Sequence, residues 1–340
     1  MKQYKYSTLA DVVKKFHKKR LMVIGDLLLD QIVRGEALRI SPEAPVPVVW
    51  VRSDDEYLPG GSCNVARNLA NLGVEVLLVG VVGEDNKAKT LKDLLKEENI
   101  CVEGVVTASD GRPTILKTRI FAGRGLSQQV LRIDREKTEN ITGSALNKII
   151  SFIKMNIRDV DGVIIEDYGK GVITPSLIKT VVNLAKRSGK IVAVDPKENH
   201  FSYYKGVSVI TPNHHEAEKA VGFPLTNDEA LRRAGEKLLK SSKAEVILIT
   251  LGEEGMMVFD RKRSPEKIPT VAQEVSDVSG AGDTVIALYT LSIVSGASSI
   301  VAAHIANCAA GIVVGKAGPA VAERKELMER LRRETGRRKK

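Results

Sequence analysis

Residues 277–283 read Asp277-Val278-Ser279-Gly280-Ala281-Gly282-Asp283, and an apolar, helix-like run continues from Thr284 to Val294. Small residues allow a tight turn whose N–H groups point at one spot, and a helix that begins there adds its positive end. We therefore predict an anion site at Gly280, Ala281 and Gly282, with the Asp283 carboxylate able to accept a proton from an attacking hydroxyl. The motif alone does not exclude a plain glycine turn whose acidic residue favours the helix start.

Composition indicates a globular protein with a sizeable core. The chain has 340 residues, of which 43% are hydrophobic, and no apolar run reaches the length of a membrane span. The N-terminus lacks the apolar segment and cleavage site of a signal peptide. Three widely spaced cysteines, Cys63, Cys101 and Cys308, argue against a disulfide framework or a zinc site. We expect a cytoplasmic protein that contacts no membrane.

The net charge of +10 raises the question of nucleic-acid binding, but the charge is concentrated at the two ends. Residues 1–20 carry +6 and residues 323–340 carry +5, so the body between them carries −1. A surface that follows a phosphate backbone needs a basic stripe, and aromatic residues help by stacking; aromatics are 4% here. We therefore predict no nucleic-acid partner, and we interpret the ends as a basic N-terminal segment and a basic C-terminal tail.

Short apolar strands alternate with helical patterns along most of the chain, as in a doubly wound α/β protein. The predicted strands are 21–26, 75–82, 162–165, 191–194, 207–210, 245–251 and 256–259. The predicted helices are 61–72, 86–97, 175–187, 228–241, 282–295 and 298–314. The fold predicted for residues 21–322 is a three-layer α/β/α domain.

Two segments interrupt this alternation. Residues 45–51 contain Pro45 and Pro47, which suit an edge strand, and residues 114–121 and 128–134 read as two strands around the turn 122–125. We predict that residues of about 32–58 and 112–135 form a small β lid inserted into the main domain.

Polar residues cluster at the predicted carboxyl ends of the strands, where ligands bind in open parallel sheets. The residues in such positions are Asp26, Asp30, Asp167, Lys170, Asp195, Lys197, Asn213, Glu216 and Gly252, together with Gly60, Gly61 and Asn64 at a helix start. Each alone reads as a cap or turn residue, but together they would line one cleft with carboxylates, lysines and amides. Such a lining suits a sugar and a phosphate.

Other nucleotide-binding classes lack their motifs here. A dinucleotide-binding oxidoreductase needs Gly-x-Gly-x-x-Gly after the first strand, and the residues after Ile24 do not have that spacing. A P-loop needs Gly-x₄-Gly-Lys-Ser/Thr, and the segment 311–317 has the wrong spacing and no hydroxyl after Lys316. Neither class is retained.

Two signatures, 59–66 (PGGSCNVA) and 277–283 (DVSGAGD), resemble those of the ribokinase (PfkB) family of sugar kinases. Further stretches resemble the branch of that family that phosphorylates heptose 7-phosphate. These are 25–30, 39–48, 167–171, 195–197, 211–216 and 309–316, in the same order and spread from about residue 20 to 322. The resemblance implies a ribokinase-like α/β/α domain whose β lid covers the sugar and often pairs two subunits.

The resemblance also implies ATP-dependent transfer of a phosphoryl group to the anomeric hydroxyl of D-glycero-β-D-manno-heptose 7-phosphate, with Mg²⁺. It assigns the catalytic base to Asp283 and the phosphoryl-binding amides to Gly280, Ala281 and Gly282. It places Asn213, Glu216, Gly252 and Asn307 near ATP, Glu216 acting indirectly on Mg²⁺, and His214 and His215 beside them. Asp30, Gly60, Gly61 and Asn64 would bind the sugar.

The phosphate already on the sugar would need cations, for which the candidates are Arg39, Lys170 and Arg119, with Arg34, Arg124 and Arg132 as substitutes. Lys117 falls in the same lid segments. Val278 stands where the family usually has Thr. The missing hydroxyl would alter hydrogen bonding or the binding of a monovalent cation there, which the resemblance otherwise implies. We expect a homodimer through the lid, and a separate protein for the nucleotidyltransferase step of the pathway. The alternative is another sugar kinase of the family, ribokinase- or fructokinase-like.

Overall fold

The computed structural model describes residues 4–123, 128–272, 275–316, 318 and 320–336. Ten helices and fourteen strands lie within these ranges. The helices are α1 (Tyr6–Val13), α2 (Ser62–Ala70), α3 (Asn86–Glu97), α4 (Gly143–Asn156), α5 (Pro175–Arg187), α6 (His214–Val221), α7 (Asp228–Ser242), α8 (Ala281–Val294), α9 (Ser299–Val313) and α10 (Arg324–Gly336). The strands are β1 (Arg20–Gly25), β2 (Leu27–Ile40), β3 (Pro47–Val51), β4 (Glu56–Gly61), β5 (Glu75–Val82), β6 (Cys101–Thr107), β7 (Ile115–Ala122), β8 (Gln128–Arg135), β9 (Gly162–Glu166), β10 (Ile191–Asp195), β11 (Val209–Ile210), β12 (Val246–Thr250), β13 (Met256–Asp260) and β14 (Glu266–Ile268).

The main sheet has nine strands in the described part of the chain, in the order β14-β13-β12-β11-β10-β9-β1-β5-β6. The seven strands from β12 to β6 in that order run parallel; at the other edge β13 pairs antiparallel with β12, and β14 pairs antiparallel with β13. β1 lies between β5 and β9, so the chain builds the sheet outward from β1 in both directions. This reversal of strand order opens a crevice at the carboxyl ends of the strands, beside β1 and β9.

Helices cover both faces of this sheet, because successive residues of a buried strand point to opposite faces. Val23 of β1 belongs to the core cluster that includes buried residues of α1, α2, α3, α8, α9 and α10, whereas Met22 and Ile24 belong to the cluster that includes α4, α5, α6 and α7. The prediction of a doubly wound three-layer fold is confirmed.

A second sheet forms the inserted lid. Its order is β3-β2-β7-β8, and β4 also pairs with β2. The fourteen-residue β2 pairs with β4 through residues 27–32 and with β3 through residues 35–40, so one strand leads from the core into the lid. The predicted start of the lid, at about residue 32, falls within β2. Arg124 and Gly125, the second half of the predicted turn 122–125, lie outside the described residues.

The two basic ends differ from the predicted appendages. Leu9, Val13 and Phe16 are buried near the N-terminus, and α10 buries Leu327 and Leu331. α1 and α10 pack against each other. Residues 4–20 and 324–336 therefore belong to the folded domain, and the prediction of a tail from residue 323 is wrong up to Gly336. Residues 337–340 lie outside the described ranges. No described helix is long and apolar enough to cross a membrane.

Candidate active site

The glycine turn leads into α8 much as its sequence predicts. Gly280 is the residue before the helix and has φ 77°, a left-handed conformation that costs glycine nothing. Asp277 Oδ1 accepts a hydrogen bond from the Ser279 N–H at 2.8 Å, which holds the turn. The Ala281 N–H donates to the Val278 carbonyl at 3.3 Å. The Ala281 amide therefore closes the turn. The prediction that it points toward a bound anion, with those of Gly280 and Gly282, is wrong for Ala281.

Asp283 lies in the first turn of α8 and is 6% exposed. Its Oδ2 accepts a hydrogen bond from Asn64 Nδ2 at 2.7 Å, and its Oδ1 accepts one from the Tyr168 hydroxyl at 3.0 Å. Burial raises the pKa of the Asp283 carboxyl, while these two hydrogen bonds act in the opposite direction. Burial and the nearby Asp283 charge raise the pKa of Tyr168, so its hydroxyl stays protonated and remains a donor.

Asp26 holds the loop that carries Tyr168. Its buried carboxylate accepts hydrogen bonds from the backbone N–H groups of Tyr168, Lys170 and Val172 at 3.0, 3.0 and 3.1 Å. Burial raises the pKa of Asp26 to about 6, although these three donors lower it. The Asp26 carboxylate therefore fixes the backbone of the 168–172 loop. Its effect on Asp283 passes through the position of Tyr168.

Three carboxylates from different elements converge beside the turn. Glu166 ends β9, Asp195 ends β10, and oxygens of both lie within 4.8 Å of an Asp283 oxygen. Burial, and then the neighbouring carboxylates, raise the pKa of Glu166 and of Asp195. Thr211 donates to Asp195 at 2.9 Å, whereas Glu166 Oε2 is buried without a hydrogen-bond partner among the described residues. Such a concentration of negative charge and oxygen donors suits a divalent cation.

A cleft of about 340 Å³ lies between the turn and the lid. Of the predicted sugar-binding and catalytic residues, it is lined by Asp30, Gly60, Gly61, Asn64, Arg119, Gly280 and Asp283. Arg119 Nη1 and Asp30 Oδ1 form an ion pair at 2.5 Å across β7 and β2. A Cβ on Gly60 would clash with the Asp30 carboxylate, and Gly61 has φ 58°, so both glycines are required by the local geometry.

A second cleft of about 620 Å³ lies on the other side of the turn. It is lined by Asn213, His214, His215 and Gly252, all predicted near ATP, and by Val278. Asn213 caps α6 by accepting from the Glu216 N–H at 3.0 Å, and Glu216 accepts from the Asn213 N–H at 2.8 Å. This reciprocal capping box gives both residues a structural role; Asn213 also lines the cleft, whereas Glu216 does not. Val278 faces this cleft while Gly280 faces the other, so the turn is the wall between them.

Six predicted site residues do not line either cleft: Ala281, Gly282, Glu216, Arg39, Lys170 and Asn307. Arg39 is exposed near the far end of β2, opposite Val48 of β3. Lys170 forms an ion pair with Glu136 at 2.5 Å. Asn307 is buried, donates to the Pro269 carbonyl at 2.8 Å, and lines a smaller cavity with Tyr4, Leu9 and Leu331. Two further lid cations are also paired: Arg34 lies 3.7 Å from Glu56, and Arg132 lies 2.6 Å from Asp134.

The structure brings three residues to the site that the sequence did not assign to it: Tyr168, Lys117 and Glu166. Tyr168 and Lys117 line the cleft under the lid, and Glu166 joins Asp283 together with Asp195, which the sequence had placed at a strand end facing the ligand. Tyr168 lies within a stretch that we had matched to the heptose kinases, and Lys117 had been noted only as one of several lid cations. Glu166 carried no signal, because a glutamate at a strand end is indistinguishable from a solvated one until its neighbours are known.

The whole-chain comparison agrees with this geometry. The profile described as "pfkB family carbohydrate kinase" matches residues 18–325. The chain therefore belongs to the pfkB family of carbohydrate kinases.

Two individual proteins are similar to most of this chain. The chain is 43% identical over 319 residues to a protein of Desulfatibacillum aliphaticivorans named bifunctional protein HldE, with 94% of this chain and 64% of that protein covered. It is also 43% identical over 311 residues to the protein of that name from Wolinella succinogenes, with 92% and 64% covered. The chain thus spans slightly less than two thirds of the length of these relatives.

Solved structures show the same fold at lower identity. Arabidopsis thaliana ribokinase complexed with ribose and ATP superposes with a TM-score of 0.72 at 22% identity, covering 92% of this chain and 98% of that one. Escherichia coli phosphofructokinase-2 in complex with potassium has a TM-score of 0.74 at 18% identity, covering 93% and 98%. Both likenesses confirm the ribokinase-like architecture.

Proposed function

We propose that this chain is an ATP-dependent kinase that phosphorylates the anomeric hydroxyl of D-glycero-β-D-manno-heptose 7-phosphate, giving the 1,7-bisphosphate, in ADP-heptose and lipopolysaccharide core biosynthesis. The observation that carries the proposal is the glycine turn, which forms the wall between two clefts and has the Asp283 carboxylate beside it. The heptose-kinase motifs and the 43% identity to proteins named HldE support this choice of sugar.

In this proposal the sugar occupies the cleft under the lid. Asp30, Gly60, Gly61 and Asn64 would contact its hydroxyls, and Asp283 would take the proton from the attacking hydroxyl. Asn64 and Tyr168 hold the two Asp283 oxygens, which orients the carboxylate before the sugar arrives. The positive end of α8 and the Gly280 and Gly282 amides would stabilise the charge of the phosphoryl group in transfer.

The nucleotide would occupy the second cleft, against Asn213, His214, His215 and Gly252. The residues present fit Mg²⁺, because Glu166, Asp195 and Asp283 offer hard oxygen donors and Glu166 Oε2 is buried without a partner among the described residues. Glu166 and Asp195 would hold the ion, with Glu216 acting indirectly, and the ion would neutralise charge on the phosphates. We keep a monovalent cation as part of the proposal.

The lid supports the proposed homodimer. Its sheet exposes a group of large apolar side chains: Leu38, Ile40, Val46, Trp50, Val51, Val130, Leu131 and Ile133. Exposed apolar patches of this kind mark interaction surfaces, and a second copy of the lid would cover them. We also propose a cytoplasmic location, which suits the three free cysteines.

A kinetic comparison of acceptors tests the proposal. We expect ATP consumption with heptose 7-phosphate at a far higher kcat/KM than with heptose, ribose, fructose or fructose 6-phosphate. Product analysis should place the new phosphate on the anomeric carbon. Equal or better use of an unphosphorylated sugar would overturn the heptose-phosphate assignment and favour a ribokinase- or fructokinase-like enzyme.

A further inference from the structure

One charged row of the lid sheet faces the sugar side of the site. Lys117 and Arg119 are two residues apart on β7, so their side chains share one face of the sheet. Lys117 is opposite Asp30 on β2 and opposite Asp134 on β8, while Arg119 is opposite Arg132. Lys117 and Arg119 both line the cleft with Gly60, Gly61 and Asn64.

Ion pairs neutralise the other cations around this row. Arg119 pairs with Asp30 at 2.5 Å and Arg132 with Asp134 at 2.6 Å, and the nearby Lys170 pairs with Glu136 at 2.5 Å. Lys117 has no carboxylate within 4.0 Å in the part of the chain that the structure describes. Its Nζ lies 5.4 Å from the centre of the Tyr168 ring, a contact that needs no counter-charge.

Burial makes this arrangement unfavourable for the free protein. Lys117 is only 9% exposed, and burial lowers the pKa of its ammonium group. A buried charge without a partner is costly, so such charges are normally paired or bound to a ligand of opposite sign. The unpaired cation is in the cleft itself, where a ligand can supply the missing charge.

We infer that Lys117 binds the phosphate that the sugar acceptor already carries, and that it is the main determinant of preference for a phosphorylated sugar. The inference rests on the proposed function, and it replaces Arg39, Lys170 and Arg119 as first candidates for this role. Arg39 is outside the cleft, Lys170 is held by Glu136, and Arg119 is held by Asp30. The ammonium of Lys117 would approach the phosphate from the lid, while Asp283 lies across the cleft on α8.

Replacing the cation without removing its bulk tests the inference. For Lys117→Gln we expect KM for heptose 7-phosphate to rise about ten- to a hundredfold, the usual effect of losing one charge-assisted contact. The KM for ATP and the weak activity on unphosphorylated heptose should stay within about twofold of wild type. Lys117→Arg should recover part of the loss. Lys96→Gln, which removes an exposed lysine on α3, controls for net charge.

Thermal unfolding gives a readout that is independent of turnover. Lys117→Met should be at least as stable as wild type without ligand, because it removes an unpaired buried charge. Heptose 7-phosphate should raise the Tm of wild type, but should raise that of Lys117→Met much less. If wild type prefers heptose 7-phosphate and Lys117→Gln keeps that preference with an unchanged KM, the inference is wrong while the proposed function stands. If wild type itself shows no such preference, the heptose-phosphate assignment and the role of Lys117 both fail.

Discussion

Both oxygens of the Asp283 carboxylate accept hydrogen bonds, from an amide on α2 and a phenol on the 168–172 loop. A carboxylate held in this way is already oriented and has little conformational freedom left to lose when substrate binds. Such a geometry is expected of a general base. Asn64 and Tyr168 are therefore as informative about the site as Asp283 itself.

Asp283→Asn should abolish most turnover while leaving binding intact. The amide keeps the shape of the side chain but cannot take a proton at neutral pH, and a positioned base contributes roughly 10²–10⁴ in rate. Steady-state kinetics should show the fall in kcat, and calorimetric titration should show that ATP and the sugar phosphate still bind. Asp11→Asn, an exposed aspartate on α1, is the matched control. Near-native kcat in a folded Asp283→Asn protein would remove Asp283 from the mechanism.

Tyr168→Phe should change the pH dependence of the reaction. The Tyr168 hydroxyl lowers the pKa of Asp283, so its loss raises that pKa, and a base that must be ionised then works only at higher pH. We expect the acid limb of kcat/KM to move to higher pH, because the variant loses a hydrogen bond that stabilises the charged carboxylate. Tyr203→Phe is the control, because Tyr203 lines neither cleft. An unmoved acid limb would limit Tyr168 to packing.

At the scale of elements, the glycine turn separates the two clefts. Its conformation depends on Gly280, since φ 77° is disfavoured for any residue with a side chain. Gly282 is different, because it lies inside the helix with an ordinary φ. The motif thus contains one glycine required by the backbone and one that keeps space open near Asp195.

Gly280→Ala should therefore weaken both fold and activity. The added Cβ would lie 2.6 Å from Asn64 Nδ2, which must move and would release Asp283. We expect a loss of at least about 1–2 kcal/mol in the free energy of unfolding, with reduced kcat. In Gly282→Ala the nearest atom to the new Cβ is Asp195 Oδ2 at 3.7 Å, so its stability should change little. Denaturant unfolding of both variants checks this, and equal stabilities would contradict the role of the left-handed turn.

At the scale of the whole molecule, the chain ends complete the core on one face of the main sheet. α10 packs on α1 and α9, and Leu331 of α10 lines a small cavity with Tyr4 and Leu9 from the N-terminal segment. Most of the described basic residues of these two segments are exposed: Lys5, Lys14, Lys15, Lys18, Arg324, Lys325, Arg332 and Arg333. The charged residues of these helices therefore lie at the surface of a packed layer, and the apolar residues between them are buried in its core.

Leu331→Ala should destabilise the domain although Leu331 is far along the chain from any site residue. Leu331 is 1% exposed, and removing a buried leucine side chain costs about 2–5 kcal/mol. Arg332→Ala, its exposed neighbour, should change stability by less than about 0.5 kcal/mol. Denaturant unfolding measures both. A Leu331→Ala protein as stable as wild type would mean that α10 is not part of the cooperative unit.

Local chemistry was sufficient to predict several elements closely. The apolar period and the flanking Gly and Pro residues predicted α3 and α5 with the bounds that the structure has, 86–97 and 175–187. The strands from Glu75, Gly162 and Ile191 were also found, because parallel strands buried on both faces read as continuous apolar runs. α1, α4, α6 and α10 were missed, since their helical patterns are short or rich in charged and polar residues and their apolar positions are recognised only once packed.

The sequence by itself determined the doubly wound fold, the glycine turn and the position of Asp283 in the first turn of the helix that follows, because each depends on residues that are neighbours along the chain. Only the tertiary structure decided which distant groups meet. Tyr168 reaches Asp283 across 115 positions, and Arg119 reaches Asp30 across 89. Strand register decides which lid cations find a carboxylate, and it leaves Lys117 without one among the described residues. Charge pairing is a property of distances in space, and the order of residues does not specify those distances until the strands are aligned.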